Sequence, residues 1–138
     1  MKLPDKFQLR TENRDGRCVV YVSGELDLEV ASQMQAAMAP LVELKDRELA
    51  LNLRDLKYID STGIGIIVSV LKARHANGGP FYVESVPPSI RKLFDMTGIT
   101  PYLTRQPQPL RSGAVESAYG TFVRSAHLIP RKGQRNKQ

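Results

Sequence analysis

The chain of 138 residues contains few side chains of the kinds that carry metal or redox chemistry: one cysteine, two histidines and no tryptophan. The lone cysteine, Cys18, cannot form an internal disulfide, and its apolar neighbours predict a buried, unreactive thiol. Neither His75 nor His127 has a partner at a spacing that suits zinc, and Ser61 lies in no Gly-x-Ser-x-Gly elbow. We therefore expect no metal, no cofactor and no enzymatic activity.

The sequence also lacks a long apolar run. No stretch approaches the roughly 20 continuous apolar residues that a membrane-spanning helix needs, and residues 1–8 contain no apolar signal segment. The chain is long enough to bury a core without disulfides or a structural metal. We expect a soluble, cytoplasmic protein without a membrane partner, in keeping with its single cysteine.

The basic residues are distributed unevenly. Residues 1–104 hold 13 Lys and Arg against 13 Asp and Glu, whereas residues 105–138 hold 7 Lys and Arg against Glu116 alone. We predict one domain over the first range and a basic, disordered extension over the second. Only this extension would attract nucleic acid or an acidic partner. Its short apolar pieces at 121–123 and 127–129 could add an edge strand or dock weakly.

Short strand-like runs alternate with longer helical patterns in the first 104 residues, which is typical of an α/β domain. A β-branched run closed by a glycine predicts one strand, and alternation of leucine with other residues predicts a second, half-buried strand. Two shorter runs add a third strand and an edge strand. These predicted strands cover residues 18–23, 49–53, 81–83 and 7–9.

Apolar residues at spacings of three and four predict three helices. In the first, over residues 30–42, Pro40 removes a backbone donor and predicts a kink or an early end. The second ends in basic residues followed by Gly78, and the third covers residues 88–97 and ends at Gly98. The apolar stripes consist of Val30, Met34, Met38, Leu41 and Val42; of Ile64, Ile67, Val68 and Leu71; and of Ile90, Leu93 and Phe94.

The chemistry of the chain concentrates where a loop after the second strand enters the second helix. Asp60, Ser61 and Thr62 are residue types that cap helix N-termini, so a capped helix is one interpretation. The other is a phosphoacceptor site, because two adjacent hydroxyls lie at a terminus that favours anions. Gly63 and Gly65 lack the remaining residues of a nucleotide-binding loop, and we expect them to permit close approach of another backbone or protein.

Three segments together resemble a STAS domain of the anti-sigma factor antagonist type. Residues 22–27, Val-Ser-Gly-Glu-Leu-Asp, resemble the Gly-Glu-Leu-Asp ending of an early strand in that family. Residues 58–65, Tyr-Ile-Asp-Ser-Thr-Gly-Ile-Gly, resemble its Asp-Ser-Ser/Thr-Gly-Leu-Gly signature, and residues 90–99 resemble its closing helix. The resemblance covers about residues 5–104 and implies an α/β STAS fold, with helices packed on a mixed sheet of four or five strands.

The resemblance also implies a function in transcription regulation by partner switching. In that family the unphosphorylated antagonist captures an anti-sigma factor that is also a serine kinase; phosphorylation ends the association, and a PP2C-type phosphatase reverses it. Carried over, the phosphoacceptor is Ser61, with Thr62 as the alternative. Asp60 would cap the helix or orient the acceptor, and the partner surface would include Asp27, Asp60, Thr62, Gly63 and Gly65.

Two other functions are compatible with the sequence. STAS domains also act as adaptors and as subunits of transport systems, so the fold does not settle the function. The basic extension leaves a nucleic-acid-associated adaptor as a further alternative. The balanced charge of residues 1–104 favours the phosphorylation-switched module.

Overall fold

The computed structural model describes residues 6–105, in which five strands alternate with helices. The extension predicted for residues 105–138 lies outside the described residues except for Arg105. The strands are β1 (Phe7–Arg14), β2 (Arg17–Leu26), β3 (Glu48–Asn52), β4 (Leu56–Ile59) and β5 (Phe81–Glu84). The helices are a short 3-10 turn (Leu28–Val30), α1 (Ala31–Val42), α2 (Ser61–Asn77), α3 (Pro88–Thr97) and α4 (Thr100–Leu103).

The five strands form one mixed sheet around β2. β1 pairs antiparallel with β2 along one edge, whereas β3 and β4 pair parallel with successive halves of its other edge. Two hydrogen bonds near the end of β2 show that its edges face different segments. Gly24 N–H donates to the Asp55 carbonyl just before β4, and Glu25 N–H donates to the Lys6 carbonyl just before β1. β5 pairs parallel with β3 and completes the order β1-β2-β3-β5. The predicted mixed sheet of four or five strands is confirmed.

The main core lies between one face of this sheet and the helices. Alternate strand residues point into it and meet the buried stripes of α1, α2 and α3, as the apolar spacing predicts. Cys18 is fully buried there, and burial raises the pKa of its thiol, which agrees with an unreactive cysteine. The buried strand residues in this core are Phe7, Cys18, Val20, Val22, Leu26, Leu49, Leu51, Leu56, Ile59, Phe81 and Val83.

The predicted helix ends are mostly confirmed. Gly78 and Gly98 adopt the left-handed conformation directly after α2 and α3, with φ of 76° and 77°. Pro40, in contrast, does not end α1 early, because the helix continues to Val42. Proline lies in the last turn, where the missing N–H costs one hydrogen bond and few residues follow.

Two expectations about the strands are wrong. The segment before α2, which the sequence predicts as a loop, contains β4, whose four residues are too few to show a period of two. The strand over 49–53 was expected to be half-buried, but Ala50 is fully buried on the face opposite the helices. β3 is a central strand, and Ala50 lies between Val19 and Tyr82 of the neighbouring strands.

Arg74, placed by the sequence in the basic last turn of α2, is completely buried. Its guanidinium donates to the carbonyl oxygens of Val42, Leu44, Arg47 and Pro80 at 2.7–3.1 Å. These carbonyls belong to the segments that leave α1, enter β3 and enter β5. The first three carbonyls lie along the single connection between α1 and β3, and the fourth lies in the connection between α2 and β5, so one side chain joins two loops at one end of the sheet.

Candidate functional site

The N-terminus of α2 brings the predicted hydroxyls to the surface. Asp60 has extended backbone angles, and its Oδ1 accepts a hydrogen bond from Gly63 N–H at 3.1 Å. Asp60 is therefore the N-cap, and Ser61 and Thr62 are the first two helical residues, not caps themselves. Both hydroxyl-bearing residues are partly exposed. The capped helix and the accessible hydroxyls predicted from the sequence occur together here.

A close approach between α2 and β2 fixes the position of this terminus. The Leu26 carbonyl accepts a hydrogen bond from Asp60 N–H at 3.3 Å. A β-carbon on Gly63 would lie 2.6 Å from the Leu26 oxygen and 2.7 Å from Ile59 Cγ1, well inside van der Waals contact. Gly63 was predicted to permit close approach of another backbone, and the backbone that approaches it is that of β2 in the same chain. Gly65, two residues on, is partly exposed.

Asp27 lies at the same edge of the sheet, since it follows Leu26 directly. Its Oδ1 accepts from Glu29 N–H at 3.0 Å and caps the 3-10 turn, while Lys6 Nζ lies 2.8 Å from its Oδ2. Lys6 also pairs with Glu29. Burial opposes ionisation of Asp27, but the hydrogen bond and charge of Lys6 outweigh it and hold the pKa of this carboxyl below its usual value.

The same contacts raise the pKa of Lys6, first through its hydrogen bond to Asp27 and then through Glu29. Sequence patterns did not indicate Lys6, because it precedes β1 and lies 21 residues from Asp27 along the chain. The signal that could have found it is the pairing of β1 with β2, which places the start of one strand beside the end of the other.

Exposed apolar side chains flank this edge. Leu28 follows Asp27 and is 69% exposed, and Tyr58 lies two residues before Asp60 and is 49% exposed. An exposed apolar surface rimmed by polar groups is typical of a protein-docking surface. We call residues 27, 28, 58, 60–63 and 65 the α2 edge. The sequence did not indicate Leu28, because a single apolar residue in a turn carries no periodic signal.

The described residues offer little for catalysis. His75 lies at the other end of α2, 14 residues from Ser61, which corresponds to about 20 Å along the helix. Within residues 6–105 no cluster of histidine, cysteine and acidic residues could hold a metal ion. In the same range no helix is long and apolar enough to cross a membrane.

Comparison with known proteins defines the class of this chain. The family model of the STAS domain matches residues 8–111, and the chain belongs to that family. Among curated relatives, the anti-sigma-B factor antagonist of Staphylococcus aureus (strain NCTC 8325 / PS 47) is 33% identical over 93 residues, covering 67% of this chain and 86% of the relative. The anti-sigma-B factor antagonist of Staphylococcus epidermidis matches with the same identity and coverage.

Solved structures confirm the fold. An anti-sigma factor antagonist from Mycobacterium paratuberculosis is 24% identical with a TM-score of 0.66, covering 86% of this chain and 98% of the other. The unphosphorylated form of the anti-sigma factor antagonist SpoIIAA is 23% identical with a TM-score of 0.59, covering 83% and 96%. The predicted STAS fold and the resemblance to the antagonist family are therefore confirmed.

Proposed function

We propose that the chain is an anti-sigma factor antagonist that regulates transcription by partner switching. Unphosphorylated, it binds an anti-sigma factor with serine kinase activity; phosphorylation at Ser61 releases that partner, and a PP2C-type phosphatase restores binding. The observation that carries the proposal is the partly exposed Ser61 at the first turn of α2, beside the exposed Leu28 and Tyr58. The named role of the relatives supports it. This function belongs in the cytoplasm and requires no cofactor.

A phosphate on Ser61 is compatible with the helix. The N-terminus of a helix carries partial positive charge and unpaired backbone amides, so it stabilises an anion. The Asp60 cap already satisfies the amide of Gly63, which keeps the first turn intact in either state. Phosphorylation therefore acts on the docking surface and leaves the fold unchanged.

The size of the effect follows from the charge that a partner must cover. A phosphoserine adds about −1.5 to −2 charges at pH 7. A docked partner buries about 800 Å² of this surface, and a dianion enclosed there without a cationic partner costs roughly 3 kcal/mol in desolvation and repulsion. A loss of that size weakens binding about a hundredfold.

The other residues of the α2 edge have supporting roles in this proposal. Thr62 is the alternative phosphoacceptor, because it is partly exposed at the next helical position. Asp27 and Asp60 present carboxylates in fixed positions, since each caps a helical turn. Gly63 holds α2 close to β2, and Gly65 leaves room for the partner's backbone.

The proposal is tested by capture of partners from native cytosol, with bound proteins identified by mass spectrometry. Three baits are compared: wild type, Ser61→Asp and Ser69→Asp. Ser69 is an exposed residue two turns further along α2, so its variant adds the same charge to the same helix away from the α2 edge. We expect a serine-kinase anti-sigma factor on the wild type and the Ser69 variant and its loss from Ser61→Asp.

Three results would contradict the proposal. If Ser61→Asp retains the kinase as strongly as wild type, Ser61 does not control binding. If all three baits capture the same proteins and none is a kinase, the chain acts as an adaptor or a transport-system subunit. Loss of the partner from both charged variants would show that charge anywhere on α2 prevents docking and that Ser61 is not special.

A further inference from the structure

The sheet has a second face, opposite the helices, that is buried although no described helix covers it. Val19, Ala50 and Tyr82 form one row across β2, β3 and β5, because Val19 pairs with Ala50 and Ala50 with Tyr82. Ala50 is fully buried, and Val19 and Tyr82 are 6% and 4% exposed. The cluster on this second face contains strand residues alone among residues 6–105. Something besides α1 to α4 must exclude water from it.

Charged side chains border the row and account for part of the cover. The Arg17 guanidinium lies 5.7 Å from the centre of the Tyr82 ring, and its Nη2 donates to Glu84 Oε1 at 2.9 Å. Arg17 Nε is buried without a hydrogen-bond partner in the described part of the chain.

The described chain ends on this face. Leu103 of α4 packs into the main core on the helix side. Two residues later the Arg105 guanidinium lies 5.0 Å from the centre of the Tyr82 ring, and its Nη2 lies 3.3 Å from Glu48 Oε1. Because β5 lies at the end of the strand order, the chain passes around this edge strand and reaches the second face at Arg105.

We propose that the segment after Arg105 packs across the second face and covers Val19, Ala50 and Tyr82 with its apolar side chains. Phe122 and Ile129 belong to its two apolar pieces. Phe122 is 17 residues from Arg105, a length that can extend up to about 55 Å, whereas the four strands span only about 15 Å. This inference goes beyond the proposed function and does not depend on it.

A spin label on the full chain tests this packing by nuclear magnetic resonance. Ser125→Cys places the label between the two apolar pieces, and the native Cys18 is too deeply buried to react. We expect the methyl signals of Val19 and Ala50 to lose most of their intensity. The methyl signals of Met34 and Met38, which lie in the main core on α1, should lose much less.

A second substitution separates docking from chance proximity. Phe122→Asp in the labelled chain should restore the Val19 and Ala50 signals, whereas Ser112→Asp, which adds the same charge outside the apolar pieces, should not. Equal loss of methyl intensity at all four residues in the original labelled chain would overturn the proposal. Attenuation that disappears when the labelled chain is diluted into excess unlabelled, isotope-free chain would also overturn it, because a second copy would then supply the cover.

Discussion

Replacement of Arg74 by methionine should destabilise the fold more than any surface substitution on the same helix. Methionine keeps an unbranched apolar stem but is shorter and donates no hydrogen bond, so four carbonyl oxygens lose their donor. Four charge-assisted bonds at about 1.5 kcal/mol each amount to about 6 kcal/mol. Desolvation of the guanidinium offsets roughly half of this, and the expected loss is about 3 kcal/mol.

Urea unfolding followed by circular dichroism measures this loss, since the chain has no tryptophan to report by fluorescence. Arg74→Lys should fall between wild type and Arg74→Met, because a single ammonium cannot reach all four carbonyls of the two loops at once. Lys72→Met, on the exposed side of α2, should change the free energy of unfolding by less than about 0.5 kcal/mol. A loss below about 1 kcal/mol for Arg74→Met would refute the assigned role of the buried guanidinium.

Two further predictions concern the start of β1 and the end of β2. Gly24→Ala should lower the free energy of unfolding by at least about 2 kcal/mol more than Gly16→Ala. Both glycines have positive φ, but only at Gly24 would an added β-carbon meet the Lys6 carbonyl oxygen, at 2.0 Å. Equal losses of stability in urea unfolding would contradict this prediction. The lowered pKa of Asp27 means that its carboxylate stabilises the fold above its unfolded pKa of about 3.9 and that this contribution disappears as the pH falls through the lower folded value. Asp27→Asn should therefore be less stable than wild type at pH 7, and the difference should vanish in acid; a difference independent of pH would contradict the Lys6 contact.

The elements that could be predicted from the sequence are those with a local signal. Helices α2 and α3 repeat apolar residues at helical spacing and stop at Gly78 and Gly98, so both their existence and their ends were predictable. β4 could not be predicted, because four residues are too few to show the alternation of a strand. The burial of Ala50 was not predictable either, since it depends on the order of strands across the sheet and on what lies on the second face.

The same distinction applies to the candidate site. Asp60 as a cap for α2 follows from its residue type and position, and the structure has it in that role. The Lys6 contact with Asp27 joins residues far apart in sequence, and the exposure of Leu28 depends on the turn in which it lies. Arg74 has the sequence signature of an ordinary basic helix end, and only the path of two loops around it makes it a buried donor.

In the proposed function, modification of the α2 edge controls partner binding. Its most direct test is to incubate the protein with its captured kinase partner and ATP, locate the phosphate by mass spectrometry, and measure the dissociation constant before and after. We expect a phosphate on Ser61, or on Thr62 as the alternative, and affinity about a hundredfold weaker after modification. A phosphate elsewhere on the chain, or unchanged affinity once Ser61 is fully phosphorylated, would contradict it.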